Sequence, residues 1–250
     1  MDPAELRGRL ADVRGRIERA AHRAGRDPAS VRLVAVSKTF PADFVHAAAE
    51  AGQRDFGENK VQEALPKMDA VSAMGSNLGL RWHLVGHLQS NKTKKAAGRF
   101  DVVHSIDTPE LLQKIDESAR AAGHRLEALV QVDLASEATK HGAHEAELAA
   151  IFEAGRAATH VTLVGLMLLP PAVENPDDAR PYFRELREVR NRLLALGVEP
   201  AMLAQLSMGM SHDFEVAVEE GATIVRVGTA IFGSRPLTIV ASKTGSTPFP

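Results

Sequence analysis

The chain has 250 residues, a formal net charge of −2, 44% hydrophobic and 25% charged residues, and no cysteine. This composition is typical of a soluble globular protein that is long enough for one barrel-sized domain or two small ones, and the charge argues against a dedicated nucleic-acid binder. The absence of cysteine excludes disulfides, thiolate metal sites and cysteine nucleophiles, and no stretch has the roughly 20 apolar residues of a membrane span.

Residues 1–24 predict an amphipathic helix. Leu6, Leu10, Val13 and Ile17 recur at intervals of four, three and four, which places them on one face of a helix. The segment is rich in arginine and lacks an apolar core, so it is not a secretory signal, and we expect a cytoplasmic protein. The apolar face would pack on the chain's own core or on another subunit; we expect a monomer, with a dimer as the alternative.

Strands and helices then alternate regularly along the chain. The predicted strands are 31–38, 54–58, 81–86, 101–106, 125–134, 161–169, 202–208 and 223–228. The clearest predicted helices are 41–51, 108–122, 143–154, 178–196 and 212–220. Eight strands with helical segments between them predict the α/β class and a single (β/α)₈ TIM barrel over residues 1–235, with a doubly wound open sheet as the alternative. Residues 236–250 are small, polar and rich in proline, and predict a flexible tail.

Lys38 follows an apolar run in "LVAVSKTF", at the end of the first predicted strand. The functional groups of a TIM barrel lie at the C-terminal ends of its strands. An amine held partly out of water loses basicity, and its neutral form can attack a carbonyl to form a Schiff base. The alternative is a solvated lysine at a strand end.

Small residues follow predicted strands 7 and 8. Ser207, Gly209 and Ser211 lie after strand 7, and Gly228 and Thr229 lie after strand 8. Many barrels build a phosphate site from these two loops and a helix N-terminus. Each loop alone could consist of ordinary turn and capping residues, but the two together favour a phosphate site.

Arg226 lies inside predicted strand 8, where an unpaired guanidinium would be costly. Its partner would be a carboxylate, such as that of Glu58 or Asp133, or the ring nitrogen of a cofactor. A lysine that forms a Schiff base, a phosphate site and an arginine facing a ring nitrogen together indicate pyridoxal 5′-phosphate (PLP).

The motifs around these residues resemble the YggS/PROSC family of PLP-binding proteins. They are, in chain order, "VAVSKTFP", "FGENKVQEALPK", "WHLVGHLQSNK", "HSIDT", "GLMLLPP" and "LSMGMSHDFEVAVEEGATIVRVGTAIFG". The resemblance extends in register from about Val34 to Gly233 and covers most of the chain. It implies a barrel like the N-terminal domain of alanine racemase, with an added N-terminal helix.

The resemblance also implies roles for individual residues. Lys38 would carry the cofactor as an internal aldimine, and Arg226 would face the pyridine nitrogen. Ser207, Gly228 and Thr229 would hold the phosphate. The implied cofactor-binding residues are Lys38, Asn59, His83, Ser207, Gly209, Arg226, Gly228 and Thr229.

The sequence departs from the family pattern at three positions. Asp133 and Ala135 stand where an asparagine and a serine are expected, which would alter polar contacts near the ring. Leu168 stands where a threonine or a small residue is usual, which would change packing. The aldimine and phosphate positions follow the pattern.

A racemase of this fold needs a second acid/base group opposite its lysine. Related racemases supply a tyrosine from a C-terminal domain, whereas this chain ends soon after strand 8 and its one tyrosine, Tyr182, lies on a predicted helix. His83, His87 and His212 are the candidates for a replacement base. Arg226 disfavours protonation of the ring nitrogen, which makes the ring a poorer electron sink.

We therefore expect a PLP carrier or buffer in vitamin B6 and amino-acid homeostasis rather than an enzyme with robust turnover. The alternatives are a low-activity amino-acid racemase and a cofactor-free lysine aldolase. The expected partners are PLP and, as further candidates, PLP-dependent apo-enzymes or amino acids, with no nucleic acid and no membrane.

Two further features are interpreted as structural. His141 and His144 have a spacing that can bind metal, but no third ligand is evident, so we expect no metal site and a solvated helix start instead. The proline-rich acidic stretch 170–183 either closes over the cofactor or is a solvated connection, and we favour the connection.

Overall fold

The eight predicted strands form one closed parallel barrel. The computed structural model describes residues 2–75, 78–134 and 141–234. In it, each strand pairs with its neighbours in chain order and β8 returns to β1. From β1 to β8, the strands are Arg32–Val36, Asp55–Glu58, Arg81–Leu84, Val102–Ile106, Leu126–Val132, Val161–Leu168, Gln205–Ser207 and Ile224–Val227.

Helices surround this barrel and connect its strands. From α1 to α9, the α-helices of the described ranges are Pro3–Arg23, Ala42–Glu50, Val61–Ala73, Thr93–Ala96, Pro109–Ala122, Glu145–Ala157, Arg180–Ala195, Phe214–Glu219 and Thr229–Phe232. Short 3₁₀ turns precede some of the strands and helices. Helix α5 begins and ends where its sequence predicts, because Thr108 accepts the Leu111 N–H and Gly123 adopts a left-handed φ of 64°.

The pairing of β1 with β8 closes the sheet. Arg32 is in register with Ile224, and Val34 is in register with Arg226. This pairing confirms the TIM barrel and shows that the alternative, a doubly wound open sheet, is wrong. It also makes the segment after β1 and the loop after β8 neighbours, although nearly 190 residues of sequence separate them.

Strand β7 and helix α3 show where packing outweighs the local sequence pattern. Strand β7 is shorter than predicted, because residues 200–203 form a 3₁₀ turn that supplies the apolar Leu203 to the core. Helix α3 follows β2, where the alternation predicts a helical segment, although it is not among the clearest predicted helices. It contains Pro66 in its interior, where proline removes a backbone donor and normally disfavours a helix. Its apolar face, which includes Met68 and Val71, is nevertheless buried on the barrel, and this packing outweighs the local preference.

Helix α1 packs on its own barrel. Its four predicted apolar residues are all buried, against α8 and α9, and each contributes roughly 2 kcal/mol. Two ion pairs fix its position along α8: Arg16 lies 2.9 Å from Glu215, and Arg23 lies 2.9 Å from Glu219. The apolar face is thus covered within the chain.

The predicted tail, residues 236–250, lies outside the described residues, and the division of the chain at residue 235 stays a prediction. Within the described ranges, no helix combines the length and the apolar character that crossing a membrane would require.

A tight contact between β6 and β7 provides a test of this barrel. A Cβ atom at Gly165 would lie 1.9 Å from the carbonyl oxygen of Gln205, which is backbone and cannot rotate away. We expect Gly165→Ala to lower the free energy of unfolding by about 3 kcal/mol. Gly98→Ala is the matched control, since its Cβ would lie 3.5 Å from that of Ala122. Chemical denaturation of both variants measures the effect, and equal stabilities would contradict this register.

Candidate functional site

A cavity of about 520 Å³ opens at the C-terminal ends of the strands. Five of the predicted cofactor-binding residues line it: Lys38, Asn59, Arg226, Gly228 and Thr229. The other three, His83, Ser207 and Gly209, lie behind its wall and are described below. The closed barrel therefore brings the predicted amine, arginine and glycine-rich loop to one place.

Lys38 is half-buried and lies in a tight turn directly after β1. The N–H of Phe40 donates to the carbonyl oxygen of Ser37 at 3.1 Å, which closes the turn around Lys38 and Thr39. Thr39 has a φ of 68°, a left-handed conformation that is unfavourable for a β-branched residue. The amine is thus presented to the cavity by a strained segment of backbone.

The loops after β7 and β8 meet at a cluster of backbone donors. The hydroxyl oxygen of Ser211 accepts the N–H of Gly228 at 3.1 Å and that of Ala230 at 3.3 Å. Asp213 holds the same loop by accepting the N–H of Met210 at 2.6 Å. This cluster is the part of the cavity wall best suited to an anion, because N–H groups and a hydroxyl converge there.

The structure brings Ser211, rather than Ser207, to the cavity. Ser207 is fully buried, and its hydroxyl is 2.6 Å from Arg226 Nη1 and 2.9 Å from His104 Nδ1. The prediction that Ser207 holds the phosphate is not supported by this position. Gly209, with a φ of 92°, has a conformational role, since a Cβ there would lie 2.5 Å from that of Ala217.

Arg226 is 3% exposed and extends from β8 to the floor of the cavity. It donates to the Ser207 hydroxyl at 2.6 Å and to the Leu168 carbonyl at 2.8 Å. Burial lowers the pKa of Arg226 to about 10, against the opposing effect of Asp213, so the guanidinium remains charged at neutral pH. Glu58, one of the carboxylate partners offered by the sequence, pairs with Lys67 instead.

A chain of hydrogen bonds leads from Arg226 through the barrel. Ser207 meets His104, His104 Nε2 lies 2.9 Å from His83 Nδ1, and His83 Nε2 lies 2.9 Å from the Asp55 carboxylate at the start of β2. His83 therefore lies within the barrel rather than beside the cavity.

The two ends of this chain fix its direction. Arginine can only donate and a carboxylate can only accept, so neutral histidines allow one arrangement. In it, Ser207 donates to His104, His104 donates to His83, and His83 donates to Asp55. Burial lowers the pKa of His83, against the opposing effect of Asp55, and burial together with neighbouring charges lowers the pKa of His104 well below its usual range. Both rings are therefore neutral at pH 7.

The opposite wall of the cavity carries a pair of histidines. His87 and His141 stack with ring centroids 3.6 Å apart, and His87 Nδ1 lies 3.6 Å from Asp107 Oδ2. These three residues are the one group in the described part of the chain whose ligand atoms are close enough to hold a metal. The planes of the two rings are nearly parallel, with an interplanar angle of 13°. The partner of His141 is thus His87, whereas His144 is the N-cap of α6.

Some cavity residues were not assigned to the site from the sequence. Gln131, His141 and Leu169 are such residues, and all three line the cavity. Ser211 and His87 line it as well; the sequence had placed Ser211 in the phosphate loops and named His87 as a candidate base. For Gln131 and Leu169, the available signal was their position near the ends of predicted strands 5 and 6. The stretch 170–183 reaches the same rim, since His212 Nε2–H donates to the Glu174 carbonyl at 2.9 Å.

Two of the departures from the family pattern can be located. Leu168 is buried, and its carbonyl oxygen accepts from Arg226, so the contact depends on the backbone rather than on the side chain. The backbone N–H of Asp133 donates to the Ala143 carbonyl at 3.0 Å. Ala135 lies outside the described residues.

Comparisons with known proteins identify the family. The family model for the alanine racemase N-terminal domain matches residues 9–236. The pyridoxal phosphate homeostasis protein of Aquifex aeolicus is 43% identical over 227 residues, which cover 91% of this chain and 97% of that protein. The protein of the same name from Pseudomonas aeruginosa is 44% identical over 226 residues, or 90% and 94% of the two chains. This chain belongs to the pyridoxal phosphate homeostasis protein family.

A solved structure supports this placement in the homeostasis family. PipY of Synechococcus elongatus, whose structure was determined with PLP bound, is 37% identical and superposes with a TM-score of 0.79. The match covers 91% of this chain and all of PipY. The family and the barrel expected from the sequence motifs are both confirmed.

The neutral histidine chain predicts how stability depends on pH. Because both folded-state pKa values are lowered, the unfolded chain binds protons at His83 and His104 below about pH 6.5 and the folded chain does not. Stability from this source is complete above that pH and is lost as the pH falls, by about 1.4 kcal/mol per pH unit for each histidine. Urea unfolding between roughly pH 5 and 7.5 measures the slope.

His104→Gln removes one of these protonation sites and should make the slope shallower. His22→Gln, at an exposed position of α1, is the control and should leave the slope as in the wild type. A His104→Gln slope equal to that of the wild type would show that the buried chain is not the source.

Proposed function

We propose that this homeostasis-family chain binds PLP covalently through Lys38 and acts as a carrier or buffer of the cofactor in vitamin B6 and amino-acid homeostasis. The observation that carries the proposal is the shared cavity of Lys38, Arg226 and the N–H cluster around Ser211. Its volume of about 520 Å³ lies within the range of small-molecule sites. PLP supplies an aldehyde that condenses reversibly with an amine, with loss of water, and within the described residues Lys38 is the lysine that lines the cavity.

The N–H cluster suits the phosphate. Gly228 and Ala230 supply backbone donors, and Ser211 supplies a hydroxyl that can rotate to donate. A Cβ at Gly228 would lie 3.1 Å from the Val36 carbonyl, so glycine allows the loop to lie close to β1. We assign the phosphate to these residues and Thr229, with Ser211 in the place first given to Ser207.

Arg226 is suited to face the pyridine nitrogen. Its charge persists at neutral pH, and a cation there disfavours a protonated ring. The hydrogen-bond chain behind it holds the guanidinium in place. A ring kept unprotonated gives little help to carbanion chemistry, which favours a role in holding the cofactor over a role in processing amino acids.

The candidates for a second acid/base group are mostly engaged elsewhere. His83 lies inside the barrel, His212 is bonded to Glu174, and Tyr182 packs against the core from α7. His87 lines the cavity, as His212 does, but it stacks on His141 and lies 3.6 Å from Asp107. Because each candidate has another contact or lies away from the cavity, we propose no racemase activity. The structure of PipY with PLP also favours a cofactor-binding role over a cofactor-free aldolase.

The proposal also includes the location, the oligomeric state and the partners of the protein. We propose that it is a cytoplasmic monomer and that it delivers the cofactor to PLP-dependent apo-enzymes. The last of these follows from the chemistry, because a reversible bond to a lysine allows the cofactor to pass to another lysine.

Reductive trapping tests the covalent bond. Borohydride reduction of the PLP-loaded protein should fix the cofactor on Lys38 and abolish the visible absorption, because reduction removes the conjugated carbon–nitrogen double bond. Peptide mapping locates the label. Lys38→Ala should show neither absorption nor label, and labelling of another lysine would contradict the assignment. In a separate sample of the PLP-loaded protein that has not been reduced, racemisation of L-alanine or L-serine at about 1 per second or faster would contradict a carrier role.

Ser211→Ala tests the phosphate site. The variant loses one hydrogen bond to a charged group, so PLP should bind roughly tenfold more weakly, while pyridoxal, which lacks the phosphate, should bind as before. Ser207→Ala is the matched control and should affect both ligands equally, because its hydroxyl contacts Arg226. Absorbance titrations measure both ligands. A loss confined to PLP in Ser207→Ala would reverse the assignment.

A further inference from the structure

We propose that Lys67, together with Glu58, is a positioning residue that holds the Lys38 turn in its strained conformation. This inference rests on the proposed function, in which Lys38 is the amine that binds the aldehyde. Neither Lys67 nor Glu58 lines the cavity. Both act through Ser37, the residue before Lys38.

Lys67 reaches from α3 to the end of β1. Its Nζ lies 2.7 Å from the Ser37 carbonyl oxygen and 2.6 Å from Glu58 Oε1. The hydroxyl of Ser37 donates to the same carboxylate oxygen at 2.6 Å. The Lys67 ammonium, the Glu58 carboxylate and Ser37 thus contact one another in all three pairings.

Every polar group of Ser37 is used in this arrangement. Its N–H donates to the Gly57 carbonyl at 2.9 Å, and its carbonyl oxygen accepts both Lys67 Nζ and the N–H of Phe40. The bond from Phe40 closes the turn that contains Lys38 and Thr39. Lys67 therefore binds the oxygen on which this turn closes.

The turn requires support, because Thr39 has a φ of 68°. Residues held in such conformations persist only where the surrounding structure fixes them, and they occur preferentially at functional sites. Relaxation of Thr39 would rotate the peptide that follows Lys38 and redirect its side chain. A restraint at Ser37 acts directly on that peptide segment.

The ion pair is deeply buried, with side-chain exposures of 9% for Lys67 and 0% for Glu58. Buried pairs often contribute little to net stability, since the loss of hydration offsets their attraction. Within the described residues, Glu58 Oε2 has no hydrogen-bond partner, so the carboxylate is oriented toward Ser37 and Lys67 at the expense of its other oxygen. This geometry indicates that the ion pair positions Ser37 more than it contributes to the stability of the fold.

The test separates positioning from stability with paired variants. Lys67→Met leaves Glu58 buried without its cation, so it should lower both the melting temperature of the cofactor-free protein and the affinity for PLP. Glu58→Gln combined with Lys67→Met removes both charges. Lys60→Met is the matched control, because Lys60 forms an exposed ion pair with Glu63 beside the start of the same helix.

If Lys67 positions Lys38, the double variant recovers most of the melting temperature, yet PLP binds roughly 10- to 100-fold more weakly than to the wild type. The control should match the wild type in both measurements. Recovery of both properties in the double variant would overturn the proposal, as would wild-type affinity in Lys67→Met.

Ser37→Ala provides a second measurement that changes no charge. It removes the hydroxyl contact to Glu58. The turn that contains Lys38 is then held less firmly, so PLP should bind more weakly while the protein stays folded. Unchanged affinity in this variant would also count against the proposal. Failure of the wild type itself to form the covalent bond would instead reject the proposed function, and the two results are distinguishable in one titration series.

Discussion

The buried guanidinium of Arg226 organises the polar groups at the centre of this barrel. Arg226 carries its charge at the floor of the cavity, and its two hydrogen bonds in the described structure go to neutral oxygens of Ser207 and Leu168. A charge in such a place needs a polar environment to offset the loss of water. The environment is the chain of Ser207, His104 and His83, which ends at the carboxylate of Asp55. Cation and anion thus lie at opposite ends of one directed series of hydrogen bonds.

This arrangement divides the barrel into a supporting interior and a binding rim. Burial keeps the interior histidines neutral. They therefore connect Ser207 to Asp55 by hydrogen bonds and place no positive charge beneath the cavity. The rim carries Lys38, the residue proposed to bind the aldehyde, and the N–H cluster at Ser211. The guanidinium of Arg226 lies between these two parts. Removal of an interior side chain would affect a bound ligand by displacing Arg226, whereas removal of a rim side chain would remove a direct contact to the ligand.

The proposed role, in which the protein holds the cofactor without processing it further, agrees with the contacts of the site. The amine is supplied by a turn under strain, and the pair formed by Lys67 and Glu58 contacts the residue that precedes it. In the proposed role, the cation of Arg226 would oppose protonation of the cofactor's ring nitrogen. Reversible capture needs only the amine and the anion site, whereas turnover of an amino acid would also need an effective electron sink and a second acid/base group.

The sequence alone determined the parts of this protein that depend on local pattern. The alternation of apolar strands and amphipathic helices predicts the barrel, and strand ends mark Lys38 and the two loops after β7 and β8. Tertiary structure decided the rest. Whether Ser207 or Ser211 faces the cavity depends on the backbone turn at Gly209 between them, and the contact of Lys67 with Ser37 joins residues 30 positions apart. Such contacts arise only when the barrel closes, because periodicity specifies which face of an element is buried but not which distant residue it meets there.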